Sequence, residues 1–183
     1  MLALAFSIVP VCSLADATGV CFIAVNETLL DLNVTPYFYG SAYVPYSVFG
    51  NFQIYSSFFR DSNTLSLYRS DRQLYFNLNN GQVYDGDNNY YTTSIITLNG
   101  QYYVPVQFVC NFFDLSWSHI QGIGYGDVLR ITDGSRSLSD SEFLQGATSM
   151  MKSRYEAYIA ANPPSVSPSP EVSVFPGSTG VGM

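Results

Sequence analysis

The sequence predicts an α+β fold: two related β-hairpin, short helix and strand units forming one domain, followed by a C-terminal helix and a disordered tail. Three observations predict it. Residues 41–49 (Ser-Ala-Tyr-Val-Pro-Tyr-Ser-Val-Phe) are echoed at 101–109 (Gln-Tyr-Tyr-Val-Pro-Val-Gln-Phe-Val), with Pro45 and Pro105 at the same place in each copy. Short stretches such as 95–98 and 102–104 carry alternating apolar residues, the period of a strand. Ser139 and Glu142 form a capping box ahead of an amphipathic run.

The chain has 183 residues, enough for one ordinary domain or two small ones. It is 47% hydrophobic and 16% aromatic but only 11% charged, which supplies a core and excludes general disorder. Fourteen acidic residues against seven basic ones give a net charge of −7. Phosphate backbones need clustered Lys and Arg, so no nucleic-acid partner is expected. Past the N-terminus there is no apolar run of about 18 residues, so no membrane span is expected after signal removal.

Residues 1–17 read as a signal peptide: an apolar stretch from Met1 to Leu14, too short to cross a bilayer, then small residues at Ala15 and Ala17. No Lys or Arg precedes the stretch. The expected location is secreted, extracellular and associated with the cell envelope. Signal removal takes Cys12 and leaves Cys21 and Cys110. Export permits a disulfide between them, while two buried free thiols is the plainer reading. Two cysteines and one histidine fall short of a structural zinc site, and no cofactor or metal is expected.

Residues 18–135 read as the folded domain, with one unit over about 20–80 and a second over about 81–133. In each, a glycine-centred turn (Gly40, Gly100) joins two strands. A proline then opens a short helix, where its missing N–H costs nothing. Val48, Phe49 and Phe52, and likewise Phe108, Val109 and Phe112, are spaced to pack one helix face. Further strands follow over 64–69 and 73–78, around the turn Ser70-Asp71-Arg72, and over 127–132.

This order, with Tyr103-Val104-Pro105-Val106, Leu115-Ser116-Trp117 and Leu129-Arg130-Ile131-Thr132 in succession, resembles the copper amine oxidase N-terminal-like (stalk) domain family. Tyr43-Val44-Pro45-Tyr46, Ile54-Tyr55-Ser56 and Leu65-Ser66-Leu67 match more weakly in the first unit. Ser47 and Gln107 stand where the family has Arg, and Trp occurs only in the second unit. The resemblance implies an accessory module of exported bacterial proteins, often beside a wall hydrolase, and not the oxidase. Copper(II) favours imidazole donors, and His119 is the only histidine.

Catalytic candidates are few. His119 is the one side chain able to shuttle protons near neutrality, and a small hydrolase using it is the enzymatic alternative. Asp85-Gly86-Asp87-Asn88-Asn89 begins like a calcium loop, but Tyr90 stands where glycine is needed and Ile96 where glutamate is needed, so a polar hairpin turn is expected. The 15 tyrosines are the unusual feature. Tyr37, Tyr39, Tyr90 and Tyr91 lie in polar stretches, and exposed tyrosine suits sugar rings or protein partners. Cell-wall glycan or an envelope protein is therefore the expected partner.

Residues 139–161 read as a helix with Phe143, Ala147, Met150, Tyr155 and Tyr158 along one side. Residues 162–183 are rich in Pro, Ser and Gly and read as a linker. The functional expectation is a non-catalytic accessory or stalk module that positions or anchors a partner, such as a wall hydrolase or polysaccharide deacetylase domain, at the envelope. A glycan-binding module using exposed tyrosines is the second expectation.

Overall fold

The computed structural model describes residues 19–122, 124–135, 138–162 and 172–174. In chain order these form β1 (Cys21–Val25), β2 (Thr28–Leu29), β3 (Tyr37–Phe38), β4 (Ala42–Pro45), a 3-10 helix (Tyr46–Phe52), β5 (Tyr55–Phe59), β6 (Thr64–Arg69), β7 (Arg72–Asn77), β8 (Val83–Asp85), β9 (Tyr90–Tyr91), β10 (Ile96–Leu98), β11 (Gln101–Pro105), α1 (Val106–Phe112), β12 (Ser116–Ile120), β13 (Asp127–Thr132), α2 (Asp140–Ala161) and β14 (Val172–Val174). The architecture is α+β. The expected signal peptide lies outside the described residues, as do residues 163–171 and 175–183 of the expected linker.

The strands make three sheets, ordered β12-β13-β1-β2, β14-β10-β11-β4-β3 and β5-β6-β7-β8-β9. In the first, β1 and β13 run parallel from Cys21↔Asp127 to Val25↔Ile131, which ties the start of the domain to its last strand before α2. The third is a meander of consecutive antiparallel strands. One apolar cluster draws on all three: Ile23 and Leu129 from the first sheet, Val44 and Val104 from the second, Leu67 and Phe76 from the third.

At the centre of the second sheet β4 and β11 pair antiparallel, with Val44 opposite Val104, Tyr43 opposite Pro105 and Pro45 opposite Tyr103. Each strand leads into a helix of 7 residues, 3-10 after β4 and α after β11. Both prolines close their strands and cap the helices; ψ of 133° at Pro45 and 119° at Pro105 holds each extended, so helix begins one residue later than expected. Val48, Phe49 and Phe52 are buried as their spacing requires. In α1 the buried face is Val106, Val109 and Cys110, while Phe108 and Phe112 are half-buried and lean edge-on against Tyr91.

The capping box of α2 forms: Ser139 accepts from the Glu142 N–H, and the Glu142 carboxylate accepts from the Ser139 N–H at 2.8 Å. The packed stripe is Phe143, Ala147, Met151 and Tyr155, set on Val20, Phe22 and Val128 of the first sheet. Steps of four keep that stripe on one side, so Met151 is buried, whereas the expected Met150 is 49% exposed and Tyr158 is also outward. Arg130 fastens this helix. Its guanidinium donates to Asn26 O, Glu27 Oε2, Asp140 Oδ1 and Leu138 O, and lies 4.4 Å from the Phe143 ring centre.

The disulfide permitted by export is not formed. Cys21 and Cys110 are not joined to each other, and both are buried in the main cluster, where each packs as a small apolar side chain. Burial pushes the Cys110 thiol up to about 12. Both thiols are expected to resist alkylation in the native protein and to react once it is unfolded; native labelling of Cys110 as fast as a free peptide thiol would contradict the burial.

Candidate functional site

The third sheet has one face in the core and a second face that is open at its margins, with Thr64 and Ser66 buried in its middle. Leu65, Leu67, Leu74, Phe76 and Val83 are buried in the cluster, and strand alternation turns their neighbours to the other side. Register gathers those neighbours into rows. One row is Ser57, Ser66, Tyr75, Tyr84 and Tyr90; another is Tyr55, Tyr68 and Gln73; a third is Phe59, Thr64 and Asn77. No residue of these rows carries a formal charge. The face is about 19 Å wide across its five strands.

The rings are organised. Tyr75 and Tyr84 stack at 4.9 Å and 17°, Tyr90 leans on Tyr84 at 5.6 Å, and Tyr55 leans on Tyr68 at 5.8 Å. Tyr75 and Tyr84 are both half-buried. The marginal rings are the open ones, with Tyr55 58% and Tyr90 63% exposed. Gln73 Nε2 donates to Ser66 Oγ at 3.2 Å, so an amide and a hydroxyl sit among the phenols. Desolvation first, and then the neighbouring Tyr75 and Tyr90, raise the Tyr84 hydroxyl above its ordinary pKa. The phenol therefore stays neutral, a donor and an acceptor at once.

Of the expected contact tyrosines, Tyr90 alone belongs to this face. Tyr91 follows it on the strand and turns inward, where its hydroxyl donates to Asp85 Oδ2 at 2.6 Å. Tyr37 is half-buried against the second sheet, and Tyr39 is exposed in the turn before β4. The four do not form one surface. Tyr55, Tyr68, Tyr75 and Tyr84 are the members that the polarity of flanking residues does not reveal. Their signal is period-two alternation, as in Gln73-Leu74-Tyr75-Phe76-Asn77.

Beside the face, the β6–β7 and β8–β9 turns frame a cleft of about 550 Å³ lined by Asp71, Arg72, Gln73, Gly86, Asp87 and Phe112. The Asp85 carboxylate at its back is taken up by the turn. It accepts from the Asp87 and Asn89 N–H groups at 3.0 and 2.9 Å, from Asn89 Nδ2 at 2.9 Å and from Tyr91. The Tyr91 hydroxyl above all, then the Asn89 and Asp87 donors, hold Asp85 down at about 2, against the opposing effect of burial; the same contact lifts Tyr91 to about 12. A carboxylate so occupied organises a hairpin and is not a cation ligand. Among the described residues no group of three or more His, Cys, Asp or Glu is arranged to hold a metal.

A pH dependence follows from Asp85. Its folded pKa lies below the unfolded value of about 3.9, so it stabilises the fold above pH 4 and loses that contribution as pH falls from about 4 to about 2. Asp85→Asn is expected to be destabilised at pH 6 and to approach the parent at pH 2. A gap in melting temperature that stays constant across that range would contradict the assignment.

His119 does meet a carboxylate. Its Nε2 lies 3.0 Å from Asp127 Oδ2, off the line of a good hydrogen bond, and the Phe38 ring stands edge-on at 5.7 Å. Asp127 Oδ1 accepts from the Gly122 N–H at 3.0 Å. Ser118 precedes His119 on the strand and so faces the other side of the sheet. Cys21 is on β1, and β13 with Asp127 runs between it and His119 on β12. No family model, curated protein or solved structure matches this chain.

Proposed function

We propose that the chain is a secreted, non-catalytic accessory module that holds a cell-envelope polysaccharide on the outer face of its third sheet, and so positions a partner domain. One observation carries this reading: ordered tyrosines gathered by register on one face of the sheet, in rows that hold Asn and Gln and no charged side chain, over buried Thr64 and Ser66. Sugar hydroxyls donate and accept, as do phenol tips, and the exposed rings of Tyr55 and Tyr90 offer apolar surface to sugar C–H faces. Export rests on residues 1–17, and the partner domain on the resemblance to stalk modules.

The same proposal takes residues 20–80 and 81–133 as two copies of one unit. In its support, β4 and β11 are matched about Val44 and Val104, and each is followed by a helix of 7 residues and then an antiparallel strand pair. The copies diverge after their helices: β5 and β6 continue into the tyrosine sheet, whereas β13 joins β1.

Incubating the protein with insoluble peptidoglycan tests the proposal. Retention without release of soluble fragments is expected, with retention reduced at least ten-fold in Tyr84→Ala. Fragment release that His119→Ala abolishes would establish a hydrolase instead.

A further inference from the structure

The third sheet has an open edge. Its outer strand β5, Tyr55-Ser56-Ser57-Phe58-Phe59, pairs only with β6 among the described residues. We propose that a second copy of this chain seats its own β5 there, antiparallel about a two-fold axis at Ser57, so that two 5-stranded sheets join into one continuous sheet.

Sheets that stay alone blunt their outer strands by shortness, charge or proline. The outer strands β2, β3, β9 and β14 are only 2 or 3 residues long. β12 has 5 residues but is mostly half-buried, with Trp117 against the main cluster and the Phe38 ring edge-on to His119. β5 has 5 residues, with no proline and no charge before Arg60, and its Tyr55, Phe58 and Phe59 are all exposed. The strand is held in place for pairing. Phe58 stacks on Tyr102 of β11 at 6.1 Å and 16°, and Tyr55 leans on Tyr68.

The backbone selects the occupant. The Leu78 N–H donates to Asn63 O at 2.9 Å. By alternation Asn63, Leu65, Leu67 and Arg69 turn their backbone groups towards β7, while Thr64, Ser66 and Tyr68 turn theirs towards β5. Their partners Phe59, Ser57 and Tyr55 are thereby satisfied, and Ser56 and Phe58 direct N–H and C=O away from the sheet. The Ile54 N–H is taken by Phe49 O at 3.3 Å, which ends the open stretch on that side. An edge of this kind is complementary to itself. Centred on Ser57, Ser56 lies opposite Phe58 of the copy and Phe58 opposite its Ser56, so both positions form hydrogen-bonded pairs. Centring on Ser56 or on Phe58 forms only one. The same register sets Tyr55 against Phe59 of the copy on either side of the axis, a favourable cross-strand pair of rings. Arg60, the first charged residue, falls opposite Ile54 of the copy, so like charges do not meet.

Antiparallel pairing of one edge with its copy requires the axis to stand perpendicular to the sheet, which puts the same face of both copies on the same side. The row Tyr90, Tyr84, Tyr75, Ser66 and Ser57 then runs on into the same row of the copy, reversed, and the face widens to about 43 Å. The pairing rests on the edge alone and not on what that face holds.

Sedimentation equilibrium of the full chain tests the proposal. The mean mass is expected to rise towards twice the 20.2 kDa of one chain as the protein approaches about 1 mM, since so small an interface holds weakly. Ser56→Pro removes an outward N–H that the single chain does not use, and Ser57→Lys sets like charges against each other on the axis. Both variants are expected to keep the parent's dichroism and to sediment as single chains. Amide exchange of the parent at Ser56 and Phe58 is expected to slow about ten-fold from dilute to concentrated samples, with a smaller change at Ser57, whose N–H already bonds to β6. A parent that stays single at about 1 mM would overturn the proposal, as would a dimer that persists in either folded variant. Protection of Ser56 and Phe58 already present in dilute protein would also overturn it, because a segment of the same chain would then cover the edge. Failure of the glycan reading would leave every one of these outcomes unchanged.

Discussion

Replacing Arg130 by alanine is expected to lower the free energy of unfolding by about 3–5 kcal/mol, as removal of one partner from a buried charge network does. The guanidinium is fully buried and reaches Glu27, Asp140 and two backbone carbonyls while covering the Phe143 ring. It is the fastening between β13, the β1–β2 turn and the start of α2. Glu27 and Asp140 are each about one-third exposed, so part of the loss is recovered by their rehydration, which favours the lower end of the range. Arg130→Lys keeps the charge but not the planar fork that serves several acceptors, and is expected to restore less than half of the loss. Denaturant titration checks both. A loss under about 1 kcal/mol for the alanine variant would mean that α2 is held by its apolar stripe alone.

Val104→Asp is expected to prevent folding. Val104 is fully buried, opposite Val44, at the point where the two central strands of the second sheet meet above the shared cluster. A carboxylate there has no partner; it must either ionise in an apolar interior or protonate at large cost, and the penalty exceeds what a domain of this size holds in reserve. Val104→Ala, by contrast, removes two methyl groups and is expected to cost about 2 kcal/mol while preserving the fold. Far-ultraviolet dichroism of the Asp variant should lack the parent's signal. A cooperative transition near the parent's midpoint would show that this pairing is dispensable.

The sequence was informative wherever a local rule decides structure. Alternation located β10 and β11 closely, the turns around them placed β6, and Ser139 with Glu142 marked the start of α2 to the residue. Its limits are those of pairwise information. Nothing in Cys21–Val25 states that it lies parallel to β13, because that pairing joins residues far apart in the chain. The tyrosine face was missed for the same reason: Tyr75, Tyr84 and Tyr90 come from three strands and meet only through register. Polarity of neighbouring residues was a poor guide to exposure, since Tyr90 and Tyr91 are adjacent and face opposite ways. The stripe of α2 was misjudged at Met150 because the two adjacent methionines look alike until the helix is seated on the sheet.

Charge was read correctly in composition but not in placement. The one imidazole has a carboxylate neighbour, Asp127, that no spacing rule pointed to, because it lies on the adjacent strand. Alternation then separates that imidazole from Ser118, and strand order separates it from Cys21; binding is the chemistry we propose for the tyrosine face.

Titration of a soluble neutral wall polysaccharide against the Tyr75→Ala, Tyr84→Ala, Tyr90→Ala triple variant tests that most directly, with Tyr39→Ala as the control. The triple variant should lose at least a hundred-fold in affinity while its melting transition remains cooperative, and Tyr39→Ala should bind like the parent. Equal affinity for the triple variant and the parent would place the ligand elsewhere and contradict the account.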